Sequence, residues 1–455
     1  MLIVAHGIVG RADLPIPEEL FGAAAAAVLV VSFLALAAGW SRPRLERLRS
    51  RPLFRVPLAV EVLLGALGVA AFAAVGYAAL AGTRSPQGNL APAAVYVGFW
   101  VGVPFVSLLL GDVFRLVSPW RAIGRATGWA VGRLGGSEAT EPLPYPDRLG
   151  HWPAAAGIFG FVVCELGWGA GQEPRTLGVL MLVYLLAQFA GMGAYGVEAW
   201  TRRGDAFGVW FGLFARLAPV ARAQDGRLLL RAPVAGAARL EPLAGTVALL
   251  VVGIGSTGFD GASEGPVFND VRDDLQDAFV SLGVPLATAL ELAFVAGLLA
   301  AIAIVGAIWW LGTLGMPSRA PNGERLGRRT LSRRFAHTLI PIAAAYVVAH
   351  YFSLLAYNGQ DLWRLASDPL GRGSDLFGGA AGSIDYSIVS ATAIWYVQVL
   401  ALVGGHVAAL VLAHDRALVV YGSARAATRS QVVMLVLMVC FTLLGLLLLS
   451  AALNG

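Results

Sequence analysis

The sequence contains no lysine: all 33 basic residues among its 455 are arginine. Without lysine there is no Walker A cation for nucleotide phosphates and no amine for a Schiff base. P-loop ATP hydrolysis, pyridoxal-phosphate chemistry and imine-linked retinal are therefore excluded for this chain on its own. Cysteine is nearly absent as well. Cys164 and Cys440 stand far apart inside apolar runs, which leaves neither a disulfide framework nor a thiolate metal site. Charge is the third shortage, at 13% of residues, where a soluble chain carries roughly a quarter. Against these gaps stand 57% hydrophobic residues and a mean hydropathy of +0.71. The charges cluster between long apolar runs, so a soluble enzyme, a secreted disulfide domain and a disordered chain are excluded. The expected class is an all-α, polytopic transmembrane helix bundle, a single integral membrane domain over 1–455.

Runs of roughly 17 to 25 apolar residues mark the spans. About ten are predicted on that rule, near 19–40, 58–81, 93–110, 153–170, 177–199, 242–258, 286–312, 335–357, 388–413 and 431–451. Arginine sets the orientation, because cytoplasmic loops retain basic residues. Of the 33 arginines, 27 fall in alternate connections, from Arg42 to Arg55, Arg115 to Arg148, Arg202 to Arg239, Arg319 to Arg334 and Arg416 to Arg429. The opposite side holds Arg11, Arg84, Arg175, Arg272, Arg364 and Arg372 against a larger set of carboxylates. Both termini are accordingly expected outside the cytoplasm, with 1–18 an outer segment. Segments 111–152 and 199–241 are expected as cytoplasmic loops carrying interfacial helices, and 259–285 and 358–387 as outer loops. Met-Leu-Ile-Val-Ala before His6 is too short for a secretory signal; were the start upstream, Ala5 would end a cleaved signal and His6 would be a free N-terminus.

Several segments are too polar or too short to cross. Around Ser118-Pro-Trp-Arg, Trp120, Arg121 and Arg125 read as an interfacial helix whose arginines meet anionic lipid headgroups. Phe207 to Pro219 reads as a second one. On the outer side, Asp270 to Phe279 suggests a short acidic helix over the mouth of the bundle, and Asn358 to Asp385 a long Gly- and Asp-rich loop of the kind that carries function. Gly253-Ile-Gly-Ser-Thr-Gly matches the dinucleotide fingerprint by letter only, since no βαβ unit surrounds it. There is no Gly-x-Ser-x-Gly elbow, no His-Glu-x-x-His helix and nothing that points to nucleic acid.

Histidine is the informative residue. Four of the six, His337, His350, His406 and His414, fall in or at the end of the eighth and ninth predicted spans, and ionisable groups inside membrane helices are functional candidates by default. At 1.5 Å per residue, His337 and His414 lie near the cytoplasmic edge, with His350 roughly 20 Å and His406 roughly 12 Å above it. The spacings of 13 and eight residues mismatch by about 7 Å, which disfavours two stacked haems. His337, between arginines and the bundle, reads as a snorkelling interface residue. His350 has Tyr346 and Tyr351 beside it. Glu165, Asp260 and Glu291 reach a similar level, whereas Glu61 sits at the inner edge and reads as structural. Imidazole plus carboxylate is the usual kit for a divalent cation that activates water; the competing account is a polar network that fixes helix packing.

Taken together, Ala5-His-Gly, Arg11-Ala-Asp-Leu-Pro-Ile-Pro, Ser118-Pro-Trp-Arg, Phe259-Asp-Gly, His350-Tyr-Phe, Gly359-Gln, Ser367-Asp-Pro-Leu-Gly, Gly405-His-Val and Ala413-His-Asp-Arg-Ala resemble the polytopic bacterial membrane proteins described as fenitrothion hydrolase. The resemblance extends over nearly the whole chain. It implies hydrolysis of an organophosphate triester in the bacterial inner membrane, with a second membrane subunit as a potential partner, and it brings no established catalytic residues. Joined to the histidine pattern, it gives a metal-dependent hydrolase of apolar esters or phosphotriesters with an outward-facing site. His350 and His406 would ligate a divalent metal ion, and Asp260 or Glu165 would serve as general base or further ligand. The alternatives are a transporter or metal-handling permease with Glu165, Glu291 and His406 along an ion path, or a haem-binding or accessory subunit of a membrane complex.

Overall fold

A computed structural model describes residues 18–134, 141–223, 225–321 and 323–454. The Ala5-His-Gly and Arg11 to Pro17 segments, and with them residues 1–17 of the expected outer N-terminal segment, lie outside the described residues. The rest is a bundle of apolar helices. Seven are long and apolar enough to cross a membrane: Gly22–Gly39, Leu58–Ala81, Leu90–Leu110, Pro174–Tyr195, Leu286–Leu314, Arg328–Ser367 and Ala391–Tyr421. Two bent pairs would raise this to nine, Thr246–Ala262 with Pro266–Ser281 and Ala424–Ser430 with Val432–Gly445. The fourth predicted span is the shorter helix Trp152–Gly167.

Local chemistry sets the ends. Pro57 and Pro285 immediately precede long helices, where the missing N–H costs nothing. Ser390 caps Ala391–Tyr421 by accepting from the Ala393 amide, and Gly422, at φ 69°, stops it in the left-handed region. Two helices contain π-helical stretches, Ala93–Gly102 and Val163–Gly167, each widening the ladder next to a polar cluster.

Burial orders the bundle. Two thirds of the best window in Arg328–Ser367 (67%) is buried against 6% for Leu58–Ala81, so the former is the central element and the latter presents its apolar side chains outward. The glycines of the false fingerprint lie in the middle of Thr246–Ala262 and serve close packing: a Cβ at Gly253 would fall on the Trp210 ring, and one at Gly255 on the Ile302 backbone.

Three expectations change. Ala206–Ala215 is not interfacial; almost every side chain is buried, with Phe207 and Phe211 packed edge-on to Phe99 and Trp210 stacked on Trp100, because a ten-residue helix apolar on all sides gains more inside the bundle than at a headgroup layer. The outer loop predicted from 358 begins ten residues later, since the central helix runs on to Ser367, supported by the Arg364–Asp361 ion pair one turn apart. The chain is also not purely helical. Arg51–Arg55, Arg227–Leu230 and Val220–Arg222 form a three-stranded antiparallel sheet, in that order across the sheet, on the arginine-rich side. Asp225-Gly226, with Gly226 at φ 86°, sits in the turn of its hairpin. Glu61 is structural, as expected: it pairs with Arg222 and, at 3.4 Å, with Arg125, tying the sheet and the amphipathic Pro119–Leu134 helix to Leu58–Ala81.

Candidate functional site

Thr246–Ala262 remains helical through Asp260 and then turns by 95° into the acidic helix Pro266–Ser281. The turn leaves Asp260 in the last helical turn, 5% exposed and facing the central helix. There, one carboxylate oxygen meets two side chains: His350 Nε2 at 2.9 Å and the Tyr351 hydroxyl at 2.8 Å. The phenol donates to that oxygen, and the imidazole edge lies against the backbone at Gly261, where a Cβ would come within 3.3 Å of Nδ1. His350 keeps 18% of its side chain accessible. Tyr351 is buried at 3% and packs edge-on to the imidazole.

Glu165 occupies the π-helical turn of the Trp152–Gly167 helix, close enough for its charge to act on both Tyr351 and Tyr96. Tyr96, in the other π-helical stretch, donates to the Gly171 carbonyl at 2.7 Å and so pins the loop after Glu165. Glu291 accepts from the Gly169 amide at 2.9 Å in the same loop. Two of the four sequence candidates, Asp260 and His350, are thus in direct contact, and Glu165 belongs to their electrostatic surroundings.

His406 has a different environment. It is fully buried, bonds Leu402 O through Nδ1 at 2.7 Å, and lies against Tyr346 and Phe441. Its Nε2 has no hydrogen-bond partner among the described residues, and the small cavity it lines, about 50 Å³, is walled by apolar side chains with only Thr338 and Gln431 polar beside it. The two tyrosines expected around His350 divide between these places, Tyr351 on Asp260 and Tyr346 on His406. His337 is corrected outright: at 1% exposure it is a buried residue rather than a snorkelling one, and it is the flanking Arg333 and Arg334 that reach outward, to Pro242 O and Glu324. His414, also buried, is held between Trp40 O and Gln431.

A catalytic zinc-type centre ordinarily uses three protein ligands. Among the described residues no group of three or more His, Cys, Asp and Glu side chains gathers in that way; Asp260 and His350 would supply two. What their contact does provide is an oriented imidazole. A carboxylate that accepts the Nε2 proton fixes the tautomer and the orientation of the ring. Tyr351 was expected beside His350 and is there, whereas Gly261 escaped sequence reasoning as a member of this cluster; the motifs Phe259-Asp-Gly and His350-Tyr-Phe, both quoted for the resemblance, thus meet in space. No family model matches the chain, and neither a curated protein nor a solved structure does.

Proposed function

We propose that the protein is a membrane-embedded hydrolase of apolar esters, phosphotriesters included, whose acid–base centre is Asp260–His350 on the arginine-poor side of the bundle. The observation that carries this reading is the shared Asp260 oxygen, 2.9 Å from His350 Nε2 and 2.8 Å from the Tyr351 hydroxyl. In this reading His350, oriented by Asp260, removes a proton from water as the water oxygen bonds to the carbonyl carbon or phosphorus; Asp260 stabilises the imidazolium, and the proton then goes to the departing alkoxide or aryloxide. Tyr351 holds the carboxylate in place and is a positioning residue.

The test is turnover of a p-nitrophenyl ester and of an aryl dialkyl phosphotriester by the detergent-purified chain. His350→Gln and Asp260→Asn should each lower kcat by about 10² or more while the protein still elutes as the same folded species. Full activity in both variants would defeat the assignment. Turnover lost on chelation, with metal bound by wild type and absent from His350→Ala, would instead make Asp260 and His350 two ligands of a divalent ion.

A second reading, proton-coupled transport, is favoured by the 95° break directly after Asp260 and by the π-helical turn at Glu165, since broken helices next to ionisable groups are the architecture of many transporters. Accumulation of an unaltered solute in proteoliposomes, driven by a pH gradient and abolished by Asp260→Asn, would select it.

A further inference from the structure

Two cavities share a wall, the polar one on the arginine-rich side and the apolar one running from it along the helices as far as Tyr96 and Cys164. One, about 220 Å³, is polar; Arg115, Arg121, Arg202 and Arg216 line it together with His151 and Asp205. The other, about 780 Å³, is apolar and is lined among others by Phe72, Trp120, Phe161, Tyr184 and Phe207. Phe114 lines both. Beside it Asp205 forms the partition: its two oxygens accept from Trp120 Nε1 and from the Tyr184 hydroxyl, each at 2.7 Å, so side chains of the apolar chamber are bolted to a residue of the polar one.

The guanidiniums have donors to spare. Glu198 alone serves three of them, contacting Arg115, Arg121 at 2.7 Å and Arg202 at 3.9 Å. Arg121 Nε is buried with no partner among the described residues. Arg216 makes no ion pair among them and donates one hydrogen bond, to Gly236 O at 3.2 Å. Asp205 is engaged by an indole and a phenol, and Asp112 accepts from the Arg115 backbone amide; among the described residues neither closes an ion pair with these arginines. Forked guanidiniums with open N–H groups match the oxygens of a phosphate.

The apolar chamber complements this. It lies against Leu58–Ala81 and Pro174–Tyr195, whose outer faces are apolar and exposed, and its volume is within the range of pockets that hold whole ligands. The helix that carries Trp120 and Arg121 presents Trp129, Val131 and Leu134 outward, as a helix at the headgroup layer does. We propose that the paired chambers bind one phosphate-bearing membrane lipid, its phosphate among Arg115, Arg121, Arg202 and Arg216 and an acyl chain in the apolar chamber. This goes beyond generic attraction of basic loops to lipid, because it requires both chambers at once. It is independent of the Asp260–His350 centre. Arg125, the other arginine of the amphipathic helix singled out from sequence, turns to Glu61 and takes no part.

The experiment uses the full chain in detergent, with phosphatidylglycerol, phosphatidylcholine or inorganic phosphate added separately. Phosphatidylglycerol should raise Tm and remain bound in native mass spectra under conditions that strip phosphatidylcholine. Arg216→Gln should weaken it about tenfold, the scale of one charge-assisted contact. Gly160→Phe, at a lining position where a Cβ meets nothing within 4 Å, should block the chain chamber to a similar degree without altering charge. Arg133→Gln, exposed on the same helix, should leave binding unchanged. Equal effects of the two lipids on wild type would overturn the proposal without recourse to any variant. So would a full Tm shift from inorganic phosphate alone, which would mark a free-anion site, or undiminished lipid binding in Gly160→Phe.

Discussion

His350 Nε2 and Asp260 Oδ2 lie 2.9 Å apart although 90 residues separate them in the chain, and Tyr351 donates to the same oxygen. Two donors on one acceptor are coupled. Removing either leaves the other in place, whereas removing both takes two donors from a buried carboxylate oxygen. Tyr351→Phe should lower stability by about 1 kcal/mol, and the His350→Ala, Tyr351→Phe double variant should lose more than the sum of the singles, by about 0.5 kcal/mol or more. Thermal unfolding of the four proteins in one detergent measures the cycle; strict additivity would show that the two bonds are independent.

Asp415 ties the segment that follows the first helix, Trp40 to Leu45, to Ala391–Tyr421. Its carboxylate, 1% exposed, accepts from Trp40 Nε1 at 3.0 Å, from the Arg44 amide at 2.6 Å and from the Leu45 amide at 3.2 Å. Asp415→Ala leaves three donors unserved and should cost about 3 kcal/mol or more, whereas Asp415→Asn keeps an acceptor oxygen and should cost less. Limited proteolysis reads this directly: the alanine variant should be cut between Trp40 and Arg51 well before wild type, and equal cutting of the two would refute the tie.

Much of the bundle was legible because the bilayer demands long apolar runs, and all ten predicted segments lie on helices, though the fourth is short and two belong to bent pairs. The short acidic helix expected at Asp270 to Phe279 was also visible, and it lies within Pro266–Ser281. What was hidden is what composition cannot report. Ala206–Ala215 reads the same whether it lies in an interface or inside a bundle; only the aromatic pocket made by Trp100, Phe99 and Phe114 decides. His337 was misplaced because depth along a helix says nothing about which neighbour covers it. The sheet was overlooked although Asp225-Gly226 is a hairpin signal, because a span-by-span reading treats a connection as loop. At the candidate site, helical arithmetic brought Asp260 and His350 to one level, but rotation about the helix axes, set by packing, determines that His350 meets Asp260 while His406 faces Tyr346 and Phe441.

Glycine use separates packing from propensity. At Gly68 a Cβ would fall on the Val117 carbonyl, so Gly68→Ala must push Leu58–Ala81 off its neighbour. At Gly193 a Cβ meets nothing within 4 Å inside a regular helix. Gly68→Ala should therefore destabilise by roughly 1–3 kcal/mol, the cost of overpacking, and Gly193→Ala should stabilise by about 0.5–1 kcal/mol through reduced backbone entropy. Opposite shifts in Tm are expected; shifts of the same sign would mean that the close approach at Gly68 relaxes without cost.

The polar chamber on the arginine-rich side also sets a pH signature. Burial, reinforced by Arg216 and Arg203, holds the His151 imidazole down at about 4, while burial pushes the Asp205 carboxyl up to about 6 against the bonds it accepts from Trp120 and Tyr184. The signs oppose. His151 is depressed, so its contribution to stability is complete above pH 6.5 and is lost as pH falls towards 4. Asp205 is raised, so its contribution is complete below pH 3.8 and is lost as pH rises through about 6. Each is worth on the order of 3 kcal/mol, and between pH 4 and 6 they largely cancel. Replacing one partner should expose the other. Relative to wild type, His151→Gln should lose stability as pH rises from 4 to 6, with Gln still able to bond Thr246, the partner of His151 Nδ1 at 2.9 Å. Asp205→Asn should lose stability as pH falls across the same interval. Tm measured every half unit of pH for the three proteins gives two difference curves of opposite slope; parallel curves would show that neither group titrates in this window.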